Sequence, residues 1–255
     1  MKRIASVFIS AGLILAMSAG CVSVSLDNGE QAGQTDQGTG GFNLNGLSGI
    51  VGQTSQISAE ATANVYGTGS AAQKEYNVDT FNSVIVNGDV TISYYSGNSG
   101  KVTAETQENL LPYVSVSTKN HTLTIDLLGA VWKNNPGPKI IVYTPELLSL
   151  TVNGAAKFAQ SDTIKGREFS INVYGACGGD ITLDVDLFES VLAGAGSITY
   201  HGKASSIIAR IAGAGNLNGL DLNTKDADIT ISGAGSGSIS CSDNLRVTID
   251  GFVTV

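Results

Sequence analysis

The sequence predicts an all-β fold, a right-handed parallel β-helix with about 19–20 residues per coil and three faces. The first observation is a glycine that repeatedly ends an alternating apolar segment, at intervals of 18 to 21 residues. The second is composition: charged residues make up 14% and prolines number 4, while 32 glycines punctuate stretches of strand-forming residues. Such a period indicates a solenoid, because each unit buries its apolar face only against its neighbours. The repeated glycines are Gly154, Gly175, Gly194, Gly213, Gly233 and Gly251.

Residues 1–21 are predicted to be a lipoprotein-type signal peptide. Lys2 and Arg3 precede an apolar run, and small residues at 18–20 lead into Cys21. Small residues before a cysteine match a bacterial lipobox, in which Cys21 is lipid-modified and begins the mature chain. An ordinary secretory signal or a short anchor helix remains the alternative. Several acyl chains would give firm anchoring, and Val22 after the cysteine favours the outer membrane.

Residues 22–73 are predicted to be a flexible tether. They are rich in Gly, Ser, Thr, Gln and Asn. Such a segment buries too little apolar surface to offset the entropy of ordering it. We therefore expect the β-helix head domain to cover residues 74–255.

The head is expected to begin with irregular opening coils and a cap, residues 74–146. Gly88 ends the first segment of the repeating type. Residues 129–138 form the longest excursion and contain Trp132, the only tryptophan. Long excursions from a regular scaffold often carry function, so Trp132 is a candidate contact residue, although it could equally cap the first coils. Strands are predicted at 90–95, 101–105, 114–117, 122–127 and 139–143.

Regular coils are predicted over residues 147–255, each with three short strands that pair in parallel with the next coil. Gly-Ala-Gly recurs at one position of the repeat, where one face bends into another. Glycine suits a bend that needs positive φ or close backbone approach. The second glycines of these motifs are Gly196, Gly215 and Gly235.

Several stretches resemble the auto-transporter adhesin head family, also called the head GIN domain. They are FNSVIVNGDVTI (81–92), ENLLPYV (108–114), HTLTI (121–125), TPELLSLTVNG (144–154) and the Gly-Ala-Gly series. The resemblance covers roughly residues 76–255. It implies a parallel β-helix at the cell surface or in the periplasm, and it implies no particular reaction.

Candidate chemistry is sparse. Alternation places Ile181, Leu183, Val185 and Leu187 inward, so that Asp184 and Asp186 share the outer face about 7 Å apart. That spacing suits an inverting pair of carboxylates, but a solvated strand face is the simpler interpretation.

Other sites are disfavoured. The Gly213-to-Gly219 loop lacks the following helix of a dinucleotide site. A calcium site at residues 178–184, with Asp221, Asp226 and Asp228, lacks the nine-residue tandem period of β-rolls. His121 and His201 have no serine or cysteine nucleophile in a recognisable motif near them.

Cys177 and Cys241 lie about three coils, or about 14 Å, apart, too far for a disulfide.

These observations predict a non-enzymatic, lipid-anchored envelope protein that presents a rigid head for adhesion or scaffolding, without a cofactor or metal. The expected partners are a surface glycan or protein and the membrane that holds the lipid. A net charge of −8 without a basic stripe argues against nucleic acid. The alternatives are a carbohydrate-active enzyme that uses Asp184 and Asp186, and an envelope component that self-associates through its C-terminal coil.

Overall fold

The computed structural model describes the backbone of three N-terminal strands, and residues 63–250 except 99, 129, 134, 136 and 160. Within these residues the fold is all-β, with one short 3-10 helix, η1. The elements are β1 Ala5–Ser10, β2 Gly12–Leu15, β3 Val22–Leu26, β4 Ala63–Tyr66, β5 Ala71–Asn77, β6 Ser83–Asn87, β7 Asp89–Tyr95, β8 Lys101–Gln107, η1 Glu108–Tyr113, β9 Val114–Lys119, β10 Thr122–Leu127, β11 Ala130–Lys133, β12 Lys139–Tyr143, β13 Ser149–Val152, β14 Ala155–Phe158, β15 Ile164–Val173, β16 Ala176–Leu192, β17 Ala195–Gly233 and β18 Ser236–Asp250.

The predicted right-handed parallel β-helix with three short strands per coil is wrong. The strands form one mixed, 16-stranded sheet that curls into a nearly closed, barrel-like form. Its strands lengthen toward the C-terminus, and β17 alone runs for 39 residues. A straight strand of that length would span about 130 Å. Strand β17 must therefore bend while its hydrogen bonding continues, and Gly202 and Gly213, both at positive φ, lie within it.

Antiparallel pairs in the first half of the head are the second departure from the prediction. Strands β5 and β12 both pair antiparallel with β8, and β9 pairs antiparallel with β10. The β9–β10 connection is a tight turn in which Asn120 and His121 have φ of 50° and 59°. A two-residue turn of this kind reverses the chain and joins antiparallel strands. The glycine period carries no information on this part, because it begins only after β12.

The second half of the sheet is a parallel ladder whose register follows the sequence period. Strand β13 pairs with β15, β15 with β16, β16 with β17 and β17 with β18, always in parallel. Paired residues are 17 to 21 positions apart, with bulges in the last pair. Each segment therefore lies beside its own repeat equivalent. The outer edge of β18 pairs with β1 and β3.

A single apolar core fills the interior of the curled sheet. Phe169 and Phe188 stack with ring centroids 6.0 Å apart, and Phe188 meets the edge of Tyr200 at 4.8 Å. All three rings are fully buried. The Tyr200 hydroxyl lies 3.0 Å from the Ser190 hydroxyl, so the polar tip of this buried ring has a partner. Aromatic contacts of this kind add to the apolar area that drives folding.

The two edge strands of the main path, β5 and β9, approach each other. The Tyr76 hydroxyl of β5 donates a hydrogen bond to the carbonyl oxygen of Val114 in β9, at 2.9 Å. Helix η1 packs beside both strands and inserts Leu110 fully into the interior. The sheet does not pair β5 directly with β9, so the Tyr76 hydrogen bond and helix η1 bring these two edges together.

A separate two-stranded sheet is formed by β4 and β11, which pair in parallel. Strand β4 and the start of β5 fall within the residues assigned from sequence to the tether. Residues 27–62 and 251–255 lie outside the described residues. No helix in the described part of the chain is both long and apolar enough to cross a membrane.

Candidate binding surfaces

A column of stacked glycines marks one corner of the ladder. Gly154 packs on Gly88, and each later member packs on the one before it, so that a Cβ at any of them would press on the preceding glycine's backbone. The column therefore excludes side chains, because neighbouring chains approach too closely there. Its members are Gly88, Gly154, Gly175, Gly194, Gly213 and Gly233. Gly251 lies outside the described residues.

The second glycines of the Gly-Ala-Gly motifs meet different neighbours. A Cβ on Gly196 would meet the backbone of Cys177. Gly215 instead faces the apolar side chains of Leu192 and Ile211, and Gly235 meets both the Ile211 side chain and the backbone oxygen of Gly215. The second glycines thus differ from the first, because at Gly215 and Gly235 the missing side chain also leaves room for the core.

A ladder of polar side chains lies beside the column. The Asn87 amide donates to the Asp126 carboxylate at 2.6 Å, and the Asn153 amide donates to the Asn87 side-chain oxygen at 2.9 Å. These residues follow one another across β10, β6 and the end of β13. The next position in the ladder is Tyr174, whose side chain is 46% exposed. Its backbone amide donates to the Val152 carbonyl, which fixes its place.

The two predicted carboxylates do face outward. Ile181, Leu183 and Val185 are buried, and Asp184 and Asp186 lie between and after them on the outer face. Asp184 is not free, because its carboxylate lies 3.2 Å from the Lys203 ammonium on the neighbouring segment. Leu187, predicted inward, is only half-buried, and the adjacent Phe188 takes the inward position.

His201 lies between two carboxylates on the same face. Its Nε2 is 3.5 Å from Asp180 and its Nδ1 is 3.4 Å from Asp221, both on adjacent segments. The carboxylates are about three-quarters exposed, so water screens these pairs and their contribution to stability is small. His121 lies in the β9–β10 turn and is exposed.

The candidate calcium ligands are engaged with other protein groups. Asp226 accepts a hydrogen bond from the Asn244 amide at 2.7 Å, and Asp228 lies 3.9 Å from Arg246. Among the described residues, no group of three or more His, Cys, Asp or Glu is arranged to hold a metal ion.

Trp132 lies in β11, opposite Val65 of β4. Its ring is half-buried and packs against the main core, and its Nε1 is buried without a hydrogen-bond partner. Only part of the ring is therefore open to a ligand. Cys21, the predicted lipidation site, lies outside the described residues.

Cys177 and Cys241 are free, buried thiols, as predicted. Burial raises the pKa of Cys177 to about 11. Burial also raises the pKa of Cys241, whose thiol donates to the carbonyl oxygens of Lys225 and Asn244. A thiol with a raised pKa is a weak nucleophile, since the thiolate is the reactive form. Neither cysteine suits nucleophilic catalysis.

Tyr174 and its polar neighbours were missed by the sequence reasoning. The signal was present, because the residues before the six repeated glycines are Asn153, Tyr174, Ala193, Ala212, Ser232 and Asp250. One large aromatic among small and polar residues at an outward repeat position indicates a specific contact. Its neighbours Asn87 and Asp126 come from segments whose order in the ladder the sequence does not reveal.

The chain belongs to the family described as "Putative auto-transporter adhesin, head GIN domain", which matches residues 80–255. The resemblance inferred from the sequence is thereby confirmed. Membership of an adhesin family favours a location at the cell surface or in the envelope. No curated protein matches the chain.

The chain is similar in fold to several solved bacterial structures. A putative adhesin from Bacteroides fragilis NCTC 9343 is 18% identical with a TM-score of 0.59, over 74% of this chain and 100% of that one. A putative adhesin from Parabacteroides distasonis ATCC 8503 is 20% identical with a TM-score of 0.52, over the same shares. A protein described as a putative lipid binding protein, also from Parabacteroides distasonis ATCC 8503, is 17% identical with a TM-score of 0.54, again over 74% and 100%. At these identities the likeness concerns the fold.

Proposed function

We propose that this chain is a non-enzymatic adhesive protein of the cell surface, whose rigid head contacts its partner at the corner around Tyr174. The observation behind the proposal is the exposed side chain of Tyr174. It lies on the outside of the parallel ladder, next to the hydrogen-bonded side chains of Asp126, Asn87 and Asn153. Exposed aromatic rings with polar neighbours are typical anchors of binding interfaces. The adhesin family of the chain supports the same class of function.

The surface around Tyr174 is suited to contact with a large partner. The ring has Asn153 on one side and the small residues Ala193 and Gly194 on the other, so it stands above its surroundings. The backbone beneath it belongs to the parallel ladder and changes little on binding. A rigid anchor loses little conformational entropy when it is buried, which favours affinity.

The geometry of the outer carboxylates supports binding over catalysis. An inverting glycosidase needs one protonated acid and one free base across the substrate. The Asp184 carboxylate is already paired with the Lys203 ammonium, and Asp186 is exposed on the outer face. Neither carboxylate is among the residues that line the two cavities described between residues 63 and 250, whereas a glycosidase uses an enclosed site to orient the sugar and exclude water.

The adhesive function is tested by measuring binding of the full chain to an array of glycans and matrix proteins. We expect selective binding that Tyr174→Ala lowers by at least about tenfold, as for an interface anchor. Tyr174→Phe keeps the ring and should bind nearly as well as the wild type. Tyr66→Ala, at another exposed tyrosine, is the control. Equal binding by the wild type and Tyr174→Ala would exclude this corner as the contact.

Anchoring through a lipid on Cys21 is the second part of the proposal. It rests on the apolar run and small residues that precede Cys21. Labelled fatty acid should be incorporated into the wild type, and Cys21→Ala should lose the label and leave the membrane fraction. Retention of the label by Cys21→Ala would refute the assignment.

Self-association is a second candidate, favoured by the pairing of β18. Strand β1 pairs with β18 at residues 237–241, and processing before Cys21 would remove β1. That stretch of β18 would then be an unpaired edge, which is prone to pair with another chain. Sedimentation of the mature chain should show dimers that Ser238→Lys abolishes, since a charge on the edge opposes pairing. A monomeric mature chain would exclude this candidate.

A further inference from the structure

A polar cleft of about 540 Å³ opens near the β9–β10 turn. Its walls come from residues 78–80, from Gly100 and from residues 118–121. The volume falls within the range of sites for small ligands. The cleft lies apart from Tyr174 and from the Asp184 face, because none of those residues lines it.

The walls of the cleft are held in place by hydrogen bonds. The carbonyl oxygen of His121 accepts from the backbone amides of Asn82 and Ser83, at 3.0 and 3.2 Å. The backbone amide of Val78 donates to Gly100 at 3.0 Å. His121 also has φ of 59°, as the two-residue turn between β9 and β10 requires, which fixes the backbone of this wall. The site is thus largely formed before a ligand arrives.

The imidazole of His121 has a defined orientation. Its Nδ1 lies 3.2 Å from the carbonyl oxygen of Thr80. A carbonyl only accepts, so Nδ1 carries the hydrogen, and in the neutral ring Nε2 is left as an acceptor. Among the residues that line the cleft, His121 therefore supplies an imidazole acceptor and Asp79 supplies a carboxylate.

Donors and hydroxyls complete the lining. Lys119 and Asn120 supply an ammonium and an amide, and Thr80 supplies a hydroxyl. The Thr118 hydroxyl oxygen is buried without a hydrogen-bond partner. Because this oxygen is closed off from solvent, it does not contact a ligand in the cleft, and the polar lining comes from residues 79, 80 and 119–121.

We propose that this cleft binds one neutral sugar residue of a glycan. The lining holds one carboxylate, of Asp79, and one ammonium, of Lys119, so it has no net charge when His121 is neutral. A lining without net charge disfavours an acidic ligand. The lining supplies both acceptors and donors, which match sugar hydroxyls because these both donate and accept. The biological role of this site rests on the proposed adhesive function. Sugar binding by the cleft is tested separately.

The test is calorimetric titration of the full chain with neutral hexoses, N-acetylhexosamines and hexuronic acids at millimolar concentrations. We expect a neutral sugar to bind, and Asp79→Asn to weaken that binding at least about tenfold, as when a site loses a hydroxyl-binding group. His121→Asn should weaken it similarly, because asparagine tolerates the same positive φ and the turn survives. Asp186→Asn, on the outer face, should bind like the wild type.

Thr118→Val tests whether binding depends on the stability of the turn or on the side chains that line the cleft. It should raise the melting temperature of the free protein, because it removes a buried unpaired hydroxyl, and leave sugar binding unchanged. Absence of binding by every neutral sugar, binding confined to the acids, or unchanged binding by Asp79→Asn and His121→Asn would each overturn the proposal. Binding to the array through Tyr174 would still stand in any of these cases, so the two proposals fail independently.

Discussion

At the scale of single residues, the parallel ladder depends on glycine positions where no side chain fits. Gly194 packs against the Gly175 carbonyl oxygen, so even a methyl group would overlap the neighbouring backbone. The clash cannot be relieved by rotating a side chain, because the obstacle is the main chain of the adjacent strand. Gly178, a glycine outside the column, meets no such obstacle.

Gly194→Ala should therefore lower the free energy of unfolding by about 2 kcal/mol, as in an overpacked core. Gly178→Ala is the matched control, because its Cβ would lie 3.6 Å from the nearest backbone oxygen. Urea denaturation of the two variants measures the difference. Equal stability of both would show that the column is not tightly stacked.

The buried Tyr200 and Cys177 make stability depend on pH in the alkaline range. Burial raises the pKa of both groups, that of Cys177 to about 11, so the folded state holds their protons after the unfolded state has lost them. Their contribution is complete below about pH 9 and is lost as pH rises further. We expect Cys177→Ala to flatten the fall in stability between about pH 9 and 11. An identical pH profile for this variant and the wild type would argue against a buried thiol.

At the scale of elements, β5 and β9 are edge strands that a side-chain hydrogen bond and helix η1 bring together. The Tyr76 hydroxyl spans from one edge to a carbonyl of the other, and the Lys74 ammonium lies 4.6 Å from the centre of the same ring. Unpaired edges tend to recruit foreign strands, and covering them prevents this. Tyr76 and η1 together protect this end of the sheet.

Tyr76→Phe removes the bond between the edges and should cost about 1 kcal/mol, the usual net value of one hydrogen bond. Amide hydrogen exchange should quicken in β9 and stay unchanged in β16, which lies in the middle of the ladder. Tyr66→Phe, at an exposed tyrosine, is the control. Uniform quickening in both strands would mean that the bond stabilises the whole molecule instead of one edge.

At the scale of the whole molecule, one continuous sheet encloses one core, and β4 with β11 forms a small sheet beside it. Trp132 connects the two, because it lies in β11 and packs on the main core. Removing β4 would leave one edge of β11 without a partner and uncover part of this ring. The main sheet keeps its own ladder and should persist.

A fragment of residues 63–255 should therefore differ from one of residues 74–255 in the emission of Trp132, the only tryptophan. We expect emission at longer wavelength in the shorter fragment, because its indole meets more water, and a lower melting temperature as well. Circular dichroism checks that both retain the sheet. Identical emission spectra would show that β4 does not shield Trp132.

The all-β class, the family and the period of the head could be predicted from the sequence alone. Alternation correctly placed Ile181, Leu183 and Val185 inside and the two aspartates outside, because side-chain direction in a strand follows directly from position. The period likewise appears as the register of the parallel ladder. These features are local or repeat at a fixed spacing, and such signals survive in a linear sequence.

Only the tertiary structure decided how strands pair and which side chains meet. The antiparallel pairs of β8 and β9, the junction through Tyr76, the partial burial of Trp132 and the pairing of Asp184 with Lys203 each join residues from separate segments. Strand direction and partner choice depend on how the whole chain closes around its core, since many pairings satisfy the same alternation. The sequence thus determined which side chains face inward and the spacing of the repeat. Long-range packing determined how the strands pair in the sheet and which side chains form its binding surfaces.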